Sequence, residues 1–319
     1  MKNNIKVIDL HCDTLLECWR NKEQSLLEGT TAINLNKLRE GNSLAQCFAM
    51  YLPWKKMDIG PYEILKGIYK TYSDKMEMHK DIIKPALTVE DIEKNAQEGY
   101  ISSILTIEDA AFLENKIERL DEVFNMGVRM IGLIWNYENC VAYPNSRDEA
   151  AHLRGLKVFG MDVIEKMNEL GMIIDCSHLN EGGFYDVAKL SKKPFIASHS
   201  CARALCNHPR NLTDEQLKTL GDKGGVCGIN FYGSFLNESE EPASFNRIIE
   251  HLEYMKNKAG IDAVAFGSDF DGIDDNGELI DFTGFNPLID RMRKHFTDDE
   301  IDKISHINAL RVLRENIGR

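Results

Sequence analysis

Eight short apolar runs, each followed by a longer stretch with helical spacing, limit what this chain can fold into. They occupy residues 5–10, 44–51, 101–107, 130–135, 172–176, 194–197, 226–231 and 263–267. Most are continuously apolar, as expected for parallel strands covered on both faces. Between them, residues 159–170 have helical apolar spacing and stop at Gly171. Thr213 with Gln216, and Thr297 with Glu300, read as capping boxes. Residues 244–258 read as a helix ending near Gly260. This alternation predicts an α/β fold, a (β/α)8 TIM barrel of the metal-dependent hydrolase type, typically ~250 residues before insertions. A doubly wound sheet would call for a phosphate-binding glycine loop after its first strand. Here that strand runs instead into His11-Cys12-Asp13. The chain reads as one barrel domain over residues 1–319, with a helical insertion at about 53–94 and an active-site loop at about 271–293.

Composition narrows the function classes. Lys plus Arg is 38 and Asp plus Glu is 51, a formal net charge of −13, with no basic run. That argues against nucleic acid as a partner, because phosphate contacts need clustered cations. No apolar run approaches the roughly 18 residues of a membrane span. Residues 1–9 lack the apolar region of a secretory leader, and the last residues carry no lipid-anchor motif. Eight scattered cysteines with no CxxC pair fit a reducing compartment, not a disulfide framework.

Of nine histidines, His79, His152, His208, His251, His295 and His306 lie in polar or helical surroundings and read as surface or capping residues. His11, His178 and His199 each close an apolar run. His11 and Asp13 are two apart, so on a strand both side chains face the same way and Cys12 faces the other. Glu108 directly follows the run 101–107, where a carboxylate is costly unless paired or bound to a cation. Asp269 follows the run 263–267 in the same manner. These residues therefore gather at the C-terminal face of the strands, where barrel enzymes carry their sites. Three imidazoles and two or three carboxylates are too many for one tetrahedral zinc with an open position. They suffice for two metals sharing a carboxylate. Zn²⁺ suits this donor set, and Mn²⁺, Fe²⁺ or Co²⁺ would also accept it. A pair of such ions can activate water for hydrolysis. Arg210, just beyond the His199 segment, offers a fork that matches a carboxylate. Read from the residues alone, the chain is a dinuclear metallohydrolase of open substrate class.

Several ordered motifs then resemble the renal or membrane dipeptidases, a family of zinc dipeptidases among the amidohydrolase-like barrels. The resemblance covers residues 9 to about 313. It is carried by Gly171-Met172-Ile173-Ile174-Asp175-Cys176-Ser177-His178, by Ala197-Ser198-His199-Ser200-Cys201-Ala202-Arg203-Ala204-Leu205, and by His208-Pro209-Arg210-Asn211-Leu212. Gly228-Ile229-Asn230-Phe231-Tyr232 and Gly267-Ser268-Asp269-Phe270-Asp271-Gly272 complete it. The resemblance implies that His11 and Asp13 bind one Zn²⁺, that His178 and His199 bind a second, and that Glu108 bridges them. It implies Asp269 as the proton-transfer residue, and Arg210 with Tyr232 as holders of the substrate's terminal carboxylate. The implied substrates are dipeptides, including those ending in a D-residue, cleaved by a metal-bridging water. The implied protein is a cytoplasmic homodimer with no membrane attachment. Trp135 stands where vertebrate members carry a carbonyl-polarising His, and an indole N–H can donate but cannot take up a proton. Asn136 is a weak substitute beside it. The alternative is a dinuclear hydrolase acting on an N-acyl amino acid, a cyclic amide or a lactone.

Overall fold

The structure is a computed structural model that describes residues 5–239 and 241–318. Residues 1–4 and Arg319, included in the readings on leader and lipid anchor, lie outside the described residues.

Among the described residues, nine strands follow in chain order: β1 (Val7–Asp9), β2 (Ser43–Tyr51), β3 (Ile83–Pro85), β4 (Ile101–Glu108), β5 (Val128–Gly132), β6 (Ile173–Asp175), β7 (Ile196–Ser200), β8 (Val226–Ile229) and β9 (Val264–Phe266). Eight of them close into a parallel barrel in the order β2-β1-β9-β8-β7-β6-β5-β4, with β2 pairing back to β4. The (β/α)8 barrel is thus the fold, and each of the eight apolar runs supplies one barrel strand. Boundaries differ locally. β5 starts two residues earlier than its apolar run and ends at Gly132, which leaves Trp135 beyond the strand end. β7 extends to Ser200 and carries His199 within it. β3 has no counterpart in the sequence reading. It pairs with Ile101–Ser103 of β4, alongside the segment that precedes β5. With three residues and a closing proline, it gives almost no periodic signal.

The segment between β2 and β4 forms the helix Pro61–Met78, then β3, then the helix Val89–Gln97. Both expected capping boxes form, on the helices Asp214–Asp222 and Asp298–Asp302. A third forms at Thr88, with Asp91 in the reciprocal position. The helix Val158–Leu170 stops at Gly171, whose φ of 72° is left-handed.

Ile8, Cys47, Ile104, Met130, Ile173, Ile196, Val226 and Ala265, one from each barrel strand, form a single buried cluster. This is the barrel lumen, filled rather than hollow. Ala309, Val312 and Leu313 of the helix Asn308–Ile317 join it and plug its lower end. Higher up, the pairing of β7 with β8 shifts register between Ala197 and Ser200. Bulges of this kind re-aim side chains near sites. Here the Ser198 carbonyl projects so far that a Cβ on Gly228 would lie 2.0 Å from it, and one on Gly267 1.7 Å. The two glycines give the bulge its room.

Gly267→Ala is therefore expected to cost about 3 kcal/mol and to lower the melting temperature by roughly 5 °C or more. Scanning calorimetry checks this; an unchanged melting temperature would mean that the bulge can relax.

Candidate active site and metal centre

His11, Asp13, Glu108, His178, His199 and Asp269 converge at the C-terminal end of the barrel, and all six are buried. β1 ends at Asp9, but the bridge between Cys12 and Phe270 prolongs its alternation. Cys12 consequently turns toward the Cys47 carbonyl while His11 and Asp13 face the site. His11 Nε2 lies 3.7 Å from Asp13 Oδ2, 3.6 Å from Glu108 Oε2 and 3.7 Å from Asp269 Oδ1. On the other side, Glu108 Oε1 lies 3.0 Å from His178 Nε2 and 3.6 Å from His199 Nε2. One carboxylate thus directs one oxygen at each of two groups of ligand atoms. His178 and Asp269 hold left-handed backbones, with φ of 67° and 64°. Such conformations are costly for non-glycine residues and cluster at functional sites.

The hydrogen bonds around the imidazoles determine which nitrogen is free. Ser198 Oγ donates to Asp175 Oδ2, so it accepts from His199 Nδ1 at 2.7 Å. His178 Nδ1 donates to Asn136 Oδ1 at 2.9 Å. Both Nε2 atoms are then unprotonated, yet they face each other at 3.1 Å. Two lone pairs at that distance repel unless a cation lies against them. His11 Nε2 and Asp13 Oδ1 are buried with no hydrogen-bond partner among the described residues. Buried polar atoms are rarely left so without a ligand. The donor set therefore fits divalent metal ions. His11 groups with Glu108 and His199, and again with Asp13 and Asp269, at distances that could hold an ion.

The electrostatics agree. Burial, then the Asp13 charge, pushes Glu108 up to about 8. Burial pushes Asp269 up to about 6, against the opposing pull of His11. Burial alone would lower His11, but the Glu108 and Asp13 carboxylates hold it well above its usual range. Burial and the Arg210 charge keep His178 well below its usual range; burial, His11 and Arg210 do the same for His199. In the metal-free chain, protons take the place of cations.

Asp9, Asp175, Ser198, Ser268 and Asn230 were not singled out by the sequence reading. The Ser268 N–H and hydroxyl both donate to Asp9, each at 2.7 Å, and Gln46 donates to Asp9 at 2.9 Å. The Ser198 N–H and hydroxyl donate to Asp175 in the same way, at 2.8 and 2.5 Å. Each serine precedes a site residue, Asp269 or His199. A buried aspartate on one strand thus fixes the site residue of its neighbour. Asn230 donates to Asp269 Oδ2 at 2.8 Å and accepts from the Tyr232 N–H at 2.6 Å. An acid near the end of an apolar run, at Asp9 and Asp175, was the signal available.

A cavity of about 500 Å³ opens over the cluster, lined among others by Tyr51, Glu108, Trp135, Asn136, Tyr232 and Asp269. Trp135 packs on Tyr51, with ring centroids 4.8 Å apart, and on Tyr137 at 5.5 Å. Arg210 does not line the cavity. Its guanidinium bonds the His199 carbonyl and the Ser200 hydroxyl and lies 5.2 Å from the ring of Phe235, which does line it. Asn136, besides reaching the cavity, is the hydrogen-bond partner of His178.

Two outcomes are expected. Ser198→Ala should fold normally yet bind Zn²⁺ about 10- to 100-fold more weakly, read by competition with a chelating dye; unchanged affinity would remove Ser198 from the support of His199. The metal-free protein should lose stability as pH rises from about 6.5 to 8.5. The raised carboxyl of Glu108 and the raised imidazole of His11 both bind extra protons in the folded state, so both contributions fade across that window. His178 and His199, held low, lose stability only as pH falls below 6.5. Thermal melts of chelated protein check the slope, which a melting temperature rising with pH would contradict.

Comparison with known proteins assigns the family. The model of the membrane dipeptidases, peptidase family M19, matches residues 1–318. An uncharacterized protein of the pqqA 5′ region of Klebsiella pneumoniae is 38% identical over 244 residues, 73% of this chain and 88% of its own. The dipeptidase tcpJ of Claviceps purpurea is 31% identical over 79% of this chain, and the match spans 58% of the fungal protein's length. A metallopeptidase from Rhodobacter sphaeroides, solved with a phosphinate mimic of L-Ala-D-Ala, superposes with a TM-score of 0.91 at 27% identity, over 98% of this chain and 100% of its own. Among the described residues no helix is long and apolar enough to cross a membrane. The chain belongs to the membrane dipeptidase family, peptidase family M19, and is by that membership a hydrolase of the metallo-dipeptidase class.

Proposed function

We propose that this protein hydrolyses dipeptides with a free C-terminal carboxylate, using two Zn²⁺ ions held on either side of Glu108. The observation that carries this reading is the split Glu108 carboxylate, with Oε2 toward His11 and Oε1 toward His178 and His199. His11 and Asp13 would hold one ion, His178 and His199 the other. When bound, such ions acidify a water and polarise the peptide carbonyl.

The chain's own residues do the rest. Asp269, its Oδ2 held by Asn230, keeps Oδ1 toward the cluster and passes a proton to the leaving amine. Arg210 and Tyr232 hold the substrate carboxylate. The unpartnered Nε of Arg210 and the position of Tyr232 in the cavity wall support this. Trp135, packed at a tilt against Tyr51 and Tyr137, forms an apolar wall for a substrate side chain. Tolerance of a C-terminal D-residue rests on the ligand of the Rhodobacter sphaeroides relative. The whole chain acts as one catalytic domain, with the insertion at 53–94 and the segment at 271–293, a loop only in its first part and the helix Phe285–Met292 after it, as its elaborations, and we expect a homodimer. All eight cysteines are free, in keeping with a cytoplasmic location.

The test is hydrolysis of L,L- and L,D-dipeptides by chelated protein before and after Zn²⁺ is added. Zinc-restored cleavage of both series is expected. Zinc uptake without cleavage of any dipeptide would transfer the assignment to N-acyl amino acids, cyclic amides or lactones.

A further inference from the structure

Tyr51 belongs to no motif that carried the family resemblance, yet it occupies a particular place in the barrel. It ends β2, and its register partner across the sheet is Glu108. Partnered residues of adjacent parallel strands project to the same side, so the phenol and the Glu108 carboxylate share one face. Tyr51 is only 8% exposed and lines the cavity above the cluster. Trp135 fixes its ring, with centroids 4.8 Å apart. Its hydroxyl, shielded from solvent, has no hydrogen-bond partner among the described residues. A buried hydroxyl is rarely left unsatisfied through a protein's working cycle. An ordinary phenol titrates near pH 10, so at neutral pH this one is an O–H donor.

The other side-chain donors that line this cavity, Arg20, Lys56, Trp135, Asn136 and Tyr232, are exposed or half-buried, whereas the Tyr51 hydroxyl is shielded from water. Asn136 accepts from His178 through its carbonyl oxygen and is itself exposed at the rim. We propose that the Tyr51 hydroxyl is a catalytic group that donates a hydrogen bond to the scissile carbonyl oxygen as negative charge builds there. This rests on the dipeptidase reading above. No proton leaves the phenol. The donor is fixed in advance by the Trp135 contact and held away from water, which are the conditions under which such a bond counts most.

Tyr51→Phe keeps the ring and its packing and removes only the oxygen. With zinc content and melting temperature unchanged, kcat for an alanyl-alanine dipeptide should fall about 100- to 1000-fold while KM moves less than about threefold. A phosphinate analogue of that dipeptide, titrated calorimetrically, should lose affinity in proportion to kcat. An unchanged kcat overturns the proposal. So does a raised KM at constant kcat, which would put the hydroxyl on a ground-state group, or a loss of bound zinc, which would assign it to the metal ligands. Wild-type protein that binds zinc but cleaves no dipeptide overturns the dipeptidase reading and this proposal with it.

Discussion

The site depends on an excess of buried negative charge that only cations can neutralise. Asp13, Glu108 and Asp269 surround His11 at 3.6 to 3.7 Å, in a place where all four side chains are nearly inaccessible to solvent. Taking carboxylates out of water is expensive, and their mutual repulsion adds to the cost. In the metal-free chain the strain appears as proton uptake, with Glu108 and Asp269 both pushed up. Divalent ions held by these residues would relieve the same strain without protons. On the opposite side, two unprotonated imidazole nitrogens 3.1 Å apart ask for the same relief. Metal affinity and stability are thus two expressions of one electrostatic constraint.

The barrel holds these groups in place by means that lie one layer away. Asp9 and Asp175 each bind both the N–H and the hydroxyl of a serine on the next strand. That arrangement fixes the backbone just before Asp269 and His199 and leaves the following side chain pointing into the site. Gly228 and Gly267 make room for the bulged Ser198 carbonyl. Gly272 does the same for the carboxylates, since a Cβ there would lie 2.1 Å from Asp13 Oδ2. Small residues here are a condition of the site's geometry, because an added carbon would push against the Ser198 carbonyl at Gly228 and Gly267 and against the Asp13 and Asp269 carboxylates at Gly272.

Much of this is legible in the sequence, for a physical reason. Continuous apolar runs mark strands buried on both faces, so all eight barrel strands stand out. A histidine or carboxylate that closes such a run must have a partner, and that singles out His11, Glu108, His178, His199 and Asp269. What the sequence hides depends on contacts across the barrel. Asp9 and Asp175 sit within their runs, and their serine partners are 259 and 23 residues away. The bond from His178 to Asn136 spans 42 residues and carries no local pattern. Nor does anything near Arg210 reveal that its guanidinium lies beside the ring of Phe235, which lines the cavity. β3 escapes because three residues ending in proline have no period to detect.

The central claim is that one buried carboxylate organises two metal positions. A crystal structure of zinc-loaded protein, with anomalous data collected on both sides of the zinc edge, tests it most directly. The expected map has two peaks, one between Glu108 and the His11–Asp13 pair and one between Glu108 and the His178–His199 pair. A single peak at full zinc occupancy, or two peaks of which neither touches Glu108, would contradict the account.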